Sequence, residues 1–239
     1  MKKDHIKLGA GLIGLSIALH YVHFLVFRDV HHLMIFLLAD VAFIPLEVFF
    51  VSLILERIIE KQEAEKTIKK MNMLVGLFYQ QFGNKLLTLF VGVDQEHVTG
   101  EDALLMNFSW EKEEYKRLRK IISNHHHQID IGKVNLNSLL ALLKENQMMI
   151  TMLISNPTLN EKENFSEVLM STFHLMEELE SRDLNHLAQD DLDHLEVDCI
   201  RVYKNLSIEW VDYLEHLQKS YPYLFYTAIK TNPYDSRLV

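Results

Sequence analysis

The sequence is poor in the residues that most often carry recognisable chemistry. It has one cysteine, Cys199, in 239 residues, which excludes an intramolecular disulfide framework and any cysteine-rich zinc module. Only 8 glycines and 4 prolines are present, and no glycine follows Gly132. That long glycine-free remainder lacks the tight turns of an all-β domain. Positive charge is also in deficit. The 24 Lys and Arg against 33 Asp and Glu give a net charge of −9, which argues against nucleic-acid binding, since that depends on clustered cations. There is no GxGxxG and no GxxxxGK[ST] phosphate loop, and neither GxSxG nor HExxH occurs. Cys199 has no basic neighbour before Arg201 and is expected to be a structural thiol. None of these motifs points to an enzyme, and no cofactor is expected other than a metal ion, taken up below.

What is present is an uneven distribution of charge. Residues 1–55 hold Lys2, Lys3, Lys7 and Arg28 against Asp4, Asp29, Asp40 and Glu47, so the whole net negative charge lies after residue 55. Leu8 to Phe27 and Leu33 to Leu55 are two nearly unbroken apolar runs. Each is about 20 residues, the length of helix that crosses a hydrocarbon core about 30 Å thick. Arg28 to His32 joins them, so the expectation is an antiparallel transmembrane hairpin over residues 1–57, in contact with the lipid bilayer. The first run is longer than a signal peptide's apolar region, shows no clear small-x-small cleavage site and is followed at once by a second span, so a retained hairpin is the better reading. Lys2, Lys3 and Lys7 flank one end and Arg57, Lys61, Lys66, Lys69 and Lys70 the other, whereas the connection carries only Arg28. The excess of positive charge places both termini in the cytoplasm, in a multi-pass protein of the cell inner membrane.

Faces can be read within the spans. Ala10, Gly14 and Ala18 form a small-xxx-small ridge that lets helix backbones approach closely. Ser16, His20 and His23 make a polar stripe. In the second span Asp40 and Glu47, seven residues apart, share nearly one face, with Pro45 between them as a possible kink. Folding the hairpin about residues 28–32 sets His23 level with Phe36 and His20 level with Asp40. An ionised carboxylate facing lipid costs at least about 2.5–3.5 kcal/mol, so this face should avoid lipid. Two roles stay open. Either these residues are polar glue, with Asp40 bonded to His20, or they line an ion or proton path, which with two spans per chain needs several subunits. His31 and His32 read as solvated interface residues.

The remainder reads as helices throughout, giving an all-α protein whose cytoplasmic part is a bundle of four to six helices. Residues 58–100 form a juxtamembrane helical segment, and residues 101–239 the bundle. Within the first, Met71 to Val93 is apolar with a polar centre at Gln80, Gln81, Asn84 and Lys85, which disfavours a third span and leaves a membrane-surface helix or a core helix. Periodicity predicts helices over Ser109–Ile122, Asn137–Ile154 and Phe165–Leu179, and one or two over Leu184–Tyr221, with breaks at Asn124–Gly132 and Ser155–Thr158. His125, His126 and His127 fall in the first break and read as a solvated loop rather than a metal tract. Asp183, His186, Asp190 and His194 fit one helical face, and with Glu177, Glu178, Glu209, Asp212 or His216 would be candidate metal ligands. A solvated charged face explains the same residues. The aromatic ending, Tyr221 to Tyr226 and then Tyr234, is expected to dock on the bundle.

The run Leu37-Leu38-Ala39-Asp40-Val41-Ala42-Phe43-Ile44-Pro45-Leu46-Glu47-Val48, the stretch Met71-Asn72-Met73-Leu74-Val75-Gly76 and the ending Tyr221-Pro222-Tyr223-Leu224-Phe225 with Asn232-Pro233 resemble a group of uncharacterised bacterial two-span membrane proteins with a cytoplasmic helical domain. The resemblance implies that architecture and no activity, and it assigns no residue a role. Three functions are therefore carried forward. The first is a homo-oligomeric membrane protein whose hairpins surround a polar cation or proton path gated by the helical domain. The second is a membrane-anchored interaction or sensor module with a cytoplasmic protein or small ligand as partner. The third is a membrane-tethered metal-binding enzyme.

Overall fold

The computed structural model describes residues 2–96, 110–159 and 162–235, and it divides into two units, residues 1–64 and 65–239. The described residues contain helices and no strand; an isolated bridge joins Asp94 to Ile129.

The first unit holds α1, Lys2–Phe27, and most of the length of α2, Val30–Phe78. The turn between them is tight. Arg28 takes a left-handed φ of 49° and its N–H reaches the Phe24 carbonyl at 2.8 Å, closing α1. Asp29 then opens α2, its carboxylate accepting from the N–H groups of His31 and His32 at 2.8 and 3.2 Å, the role of an N-cap. His31 and His32 therefore lie in the first turn of α2 rather than in the connection. Pro45 sits inside α2 without ending it. Apolar side chains along α1 and the apolar part of α2 stay exposed, Leu8 at 63%, Val26 at 68% and Leu38 at 72%.

The second unit is built around one long helix, and its elements after α2 are a π-helical turn, Tyr79–Gly83, then α3, Asn84–Val91, α4, Lys112–Asn124, α5, Leu136–Glu145, α6, Gln147–Ile154, α7, Glu163–Glu180, α8, Gln189–Ser220, and α9, Pro222–Lys230. Along α8, Leu195, Cys199, Val202, Leu206, Trp210, Tyr213 and Leu217 are buried at three- and four-residue spacing, and Tyr203, Val211 and Leu214 widen the stripe. This breadth makes α8 the central helix. The end of α2 belongs to the same core through Val75 and Phe78, followed by Tyr79, Phe82, Leu86, Leu87 and Phe90. The stretch expected as either a membrane-surface or a core helix thus contributes one face to the core, while Met73 and Leu77 stay exposed.

Local signals explain most boundaries. Glu111 and Glu114 form a capping box at the start of α4; Ser109, the expected first residue of that helix, lies outside the described residues. Asn135 caps α5 by accepting from the Ser138 N–H at 2.9 Å. The stretch expected as one helix over 137–154 is two, because Asn146 ends α5 and its side chain turns back to the Leu142 carbonyl. Pro222 starts α9 at its first turn, where a missing N–H costs nothing, and α9 docks through buried Phe225 and Ala228. The aromatic ending is thus a docked segment.

Candidate functional site

The carboxylates of the first unit come closest to a site. Asp40 and Glu47 line one open groove of about 630 Å³ together with Phe36, Ala39, Phe43 and Ile44, all from α2. Among the described residues neither carboxylate has a hydrogen-bond or ion-pair partner. His20 is not bonded to Asp40; its ring Nδ1 donates to the Ser16 backbone carbonyl at 2.9 Å within α1. His23 joins an aromatic cluster at the turn, edge-on to Phe27, His32 and Phe36 at 4.8, 5.5 and 5.5 Å. Of the expected polar network, then, Asp40 and Glu47 are brought together and the two histidines are not. The ridge of Ala10, Gly14 and Ala18 is open as well, since a Cβ on Gly14 would meet nothing within 4 Å.

The second unit buries polar groups that the sequence reading placed in solvent. The Asp94 carboxylate is nearly sealed and accepts from His125 Nε2 at 2.7 Å, from the Tyr203 hydroxyl at 3.0 Å and from the Glu96 N–H at 3.1 Å. His127 is 7% exposed and packs edge-on against the Tyr203 ring at 4.7 Å. Burial pushes its imidazole down to about 4, with the neighbouring His125 adding to the shift. The Tyr234 hydroxyl donates to Ser207 Oγ at 2.6 Å, which in turn donates to the Tyr203 carbonyl. The expected solvated loop at 125–127 is therefore a set of pins, with His126 alone left as an ordinary loop residue. Asp94, the partner of His125, lies 31 residues away in sequence, beyond the reach of any local pattern.

Two further charge clusters lie along α8, one buried and one half-buried. Glu209, fully buried, pairs with Lys162, and burial raises its carboxyl to about 7 against the lowering effect of that lysine. Arg119 on α4 reaches Asp212 at 2.6 Å and also bonds Glu215, which ties α4 to α8. Near the other side of α8, Asn72 donates to His216 Nδ1 at 3.1 Å beside a groove of about 300 Å³ lined by Gly76, Gln80, Tyr221 and Tyr223. Cys199 is buried and its thiol is pushed up to about 12 by burial, then by Asp198, so it is inert.

The helical face expected to carry Asp183, His186, Asp190 and His194 does not exist. Residues 181–188 form the turn between α7 and α8, so Asp183 and His186 stand apart from the helix, paired with each other at 3.0 Å and largely exposed. Only Asp190 and His194 lie on α8, and of the four only His194 joins a cluster of ligand-type side chains, together with His174 and Asp198.

Comparison with known proteins agrees with the two-part architecture. Residues 67–230 match the family described as "Uncharacterized protein MJ1433, C-terminal helical domain", and residues 1–59 match "MJ1433, N-terminal helical domain". The chain belongs to the MJ1433 family. A relative, the uncharacterized protein MJ1433 of Methanocaldococcus jannaschii, is 40% identical over 229 residues, covering 95% of this chain and 92% of that protein. This MJ1433 relative is archaeal, which corrects the bacterial affiliation that the resemblance suggested. No solved structure matches the chain.

Proposed function

We propose that this MJ1433-family chain is an integral membrane protein that assembles as a homo-oligomer, with Asp40 and Glu47 of neighbouring copies lining a polar path for protons or small cations. The observation that carries the reading is the pair of partnerless carboxylates on one groove of the apolar part of α2. Contiguous exposed apolar surface on this scale is foreign to a soluble monomer, and α1 and α2 are each long and apolar enough to cross a membrane. Within lipid, each ionised carboxylate would cost at least about 2.5–3.5 kcal/mol, a cost relieved when the face turns toward other copies and water. The open Gly14 ridge supplies a second surface on which backbones of separate copies could pack closely.

The test is reconstitution into liposomes. Asp40→Asn and Glu47→Gln should each lower proton or monovalent-cation flux at least tenfold while the oligomer, measured by crosslinking, persists. Absence of flux in the parent protein, or flux unchanged in both variants, would reject the path. Retention of cellular activity after exchange of the hairpin for an unrelated one would favour the anchored interaction or sensor module instead.

A further inference from the structure

We propose that α7 and α8 hold a divalent transition-metal site of the zinc class, ligated by His174, His194 and Asp198. The site is built from two helical pairs at four-residue spacing, His174 with Glu178 on α7 and His194 with Asp198 on α8, facing each other across the two packed helices. Residues four apart lie on one face of a helix, so each helix offers an imidazole and a carboxylate to the same point.

The two carboxylate–imidazole distances fit an ion. Asp198 Oδ2 is 3.3 Å from His194 Nε2 and 3.5 Å from His174 Nε2, and the three atoms lie within 4.8 Å of one another. In tetrahedral zinc sites with bonds of about 2.0–2.1 Å, ligand atoms stand about 3.3–3.4 Å apart. Asp198 supplies an independent sign. The residue is 2% exposed, and its Oδ2 is buried with no hydrogen bond, an arrangement that costs about 1–3 kcal/mol or more for a charged group unless something completes it. The other carboxylate oxygen, Oδ1, accepts from Arg201 at 3.0 Å, which fixes the carboxylate and leaves Oδ2 aimed at the two imidazoles. Such outer partners commonly orient metal ligands.

Glu178 stands at the rim, with Oε2 3.3 Å from His194 Nε2, but that oxygen also accepts a hydrogen bond from Arg182, which lowers the carboxyl below its usual range. We therefore assign three protein ligands and leave the fourth position to solvent. His174 and His194 are 43% and 50% exposed on their side chains, so an ion reaches the site from solution. A bound ion would clip the end of α7 to the start of α8 across the 181–188 turn.

The experiment uses full-length protein in detergent, stripped with a chelator and titrated with Co²⁺ and then Zn²⁺. One Co²⁺ per chain with the intense visible absorption of a four-coordinate site, displaced by Zn²⁺, is expected. His174→Gln and His194→Gln should each weaken binding by about a hundredfold or more, since loss of an outer-shell partner alone typically costs 10–100-fold. Both histidines are half exposed, so the metal-free variants should melt like the parent by circular dichroism, and Zn²⁺ should raise the melting temperature of the parent only. Lack of Co²⁺ absorption in the parent, or binding unchanged in both variants, would overturn the site.

Discussion

Glu209 and His127 are buried titratable groups whose shifts act in opposite directions on stability. Glu209 is raised from 4.5 to about 7, chiefly by burial. Between those values the folded protein keeps a proton that the unfolded chain has released, so its contribution falls as pH rises from 4.5 to 7. His127 is lowered from 6.5 to about 4, again chiefly by burial. Below 6.5 the unfolded chain takes up a proton that the folded one refuses, so stability is lost as pH falls toward 4. Over the shared window the two slopes oppose. In Glu209→Gln the stability curve should therefore rise more steeply with pH than in the parent, with a difference approaching about 1.4 kcal/mol per pH unit. Urea unfolding at several pH values between 4.5 and 7 measures it, and parallel curves would refute the Glu209 shift. Lys162→Met, which leaves Glu209 buried without its cation, should cost about 3–5 kcal/mol above pH 7 and less at pH 5, where the carboxyl is protonated.

At the scale of elements, the π-helical turn Tyr79–Gly83 is the most tightly specified piece of the second unit. Tyr79 stacks on Tyr213 at 4.8 Å and donates its hydroxyl to the Leu206 carbonyl at 2.8 Å. A Cβ at Gly83 would lie 2.7 Å from Phe78 Cε1 and 2.9 Å from Tyr79 Cδ1, both rings fully buried. Gly83→Ala should thus destabilise by about 1–3 kcal/mol, the usual cost of overpacking, read from the urea midpoint at unchanged slope. Glycine here makes room for two rings. The elements that could be read from sequence are those with local causes. The stripe on α8, its end at Ser220 close to the expected Tyr221 and the break after Asn124 depend on periodicity and on residues a few positions apart. The split at Asn146 was missed because one asparagine bonding its own helix outweighs a continuous apolar pattern. The pins at His125 and His127 were missed because their partners, Asp94 for the first and the Tyr203 ring for the second, are brought in by tertiary folding. The ligand-type cluster was half visible: His194 stands out in the sequence, but its partner His174 lies on another helix, where no carboxylate-x-x-His spacing marks it.

For the whole molecule, the all-α composition and the division into apolar helices and a helical domain follow from where the charge lies, and the two family matches divide the chain in the same region, at 1–59 and 67–230. The carboxylates in the apolar helix were legible because charge in an apolar run is conspicuous. Their lack of an internal partner was not, since only coordinates tell whether a residue level with Asp40, such as His20, turns toward it.

The burial of Cys199 has a practical consequence for topology. The only thiol in the chain is sealed inside the helical domain, so the unaltered protein should ignore maleimide reagents, and any single added cysteine will report its own surroundings against a silent background. Placed at His31, it should react with a membrane-impermeant maleimide from outside intact cells. Placed at Lys116, it should react only after permeabilisation. The reverse pattern would invert the orientation drawn from the lysines and arginines, and labelling of both from outside would remove the protein's hairpin from the bilayer altogether.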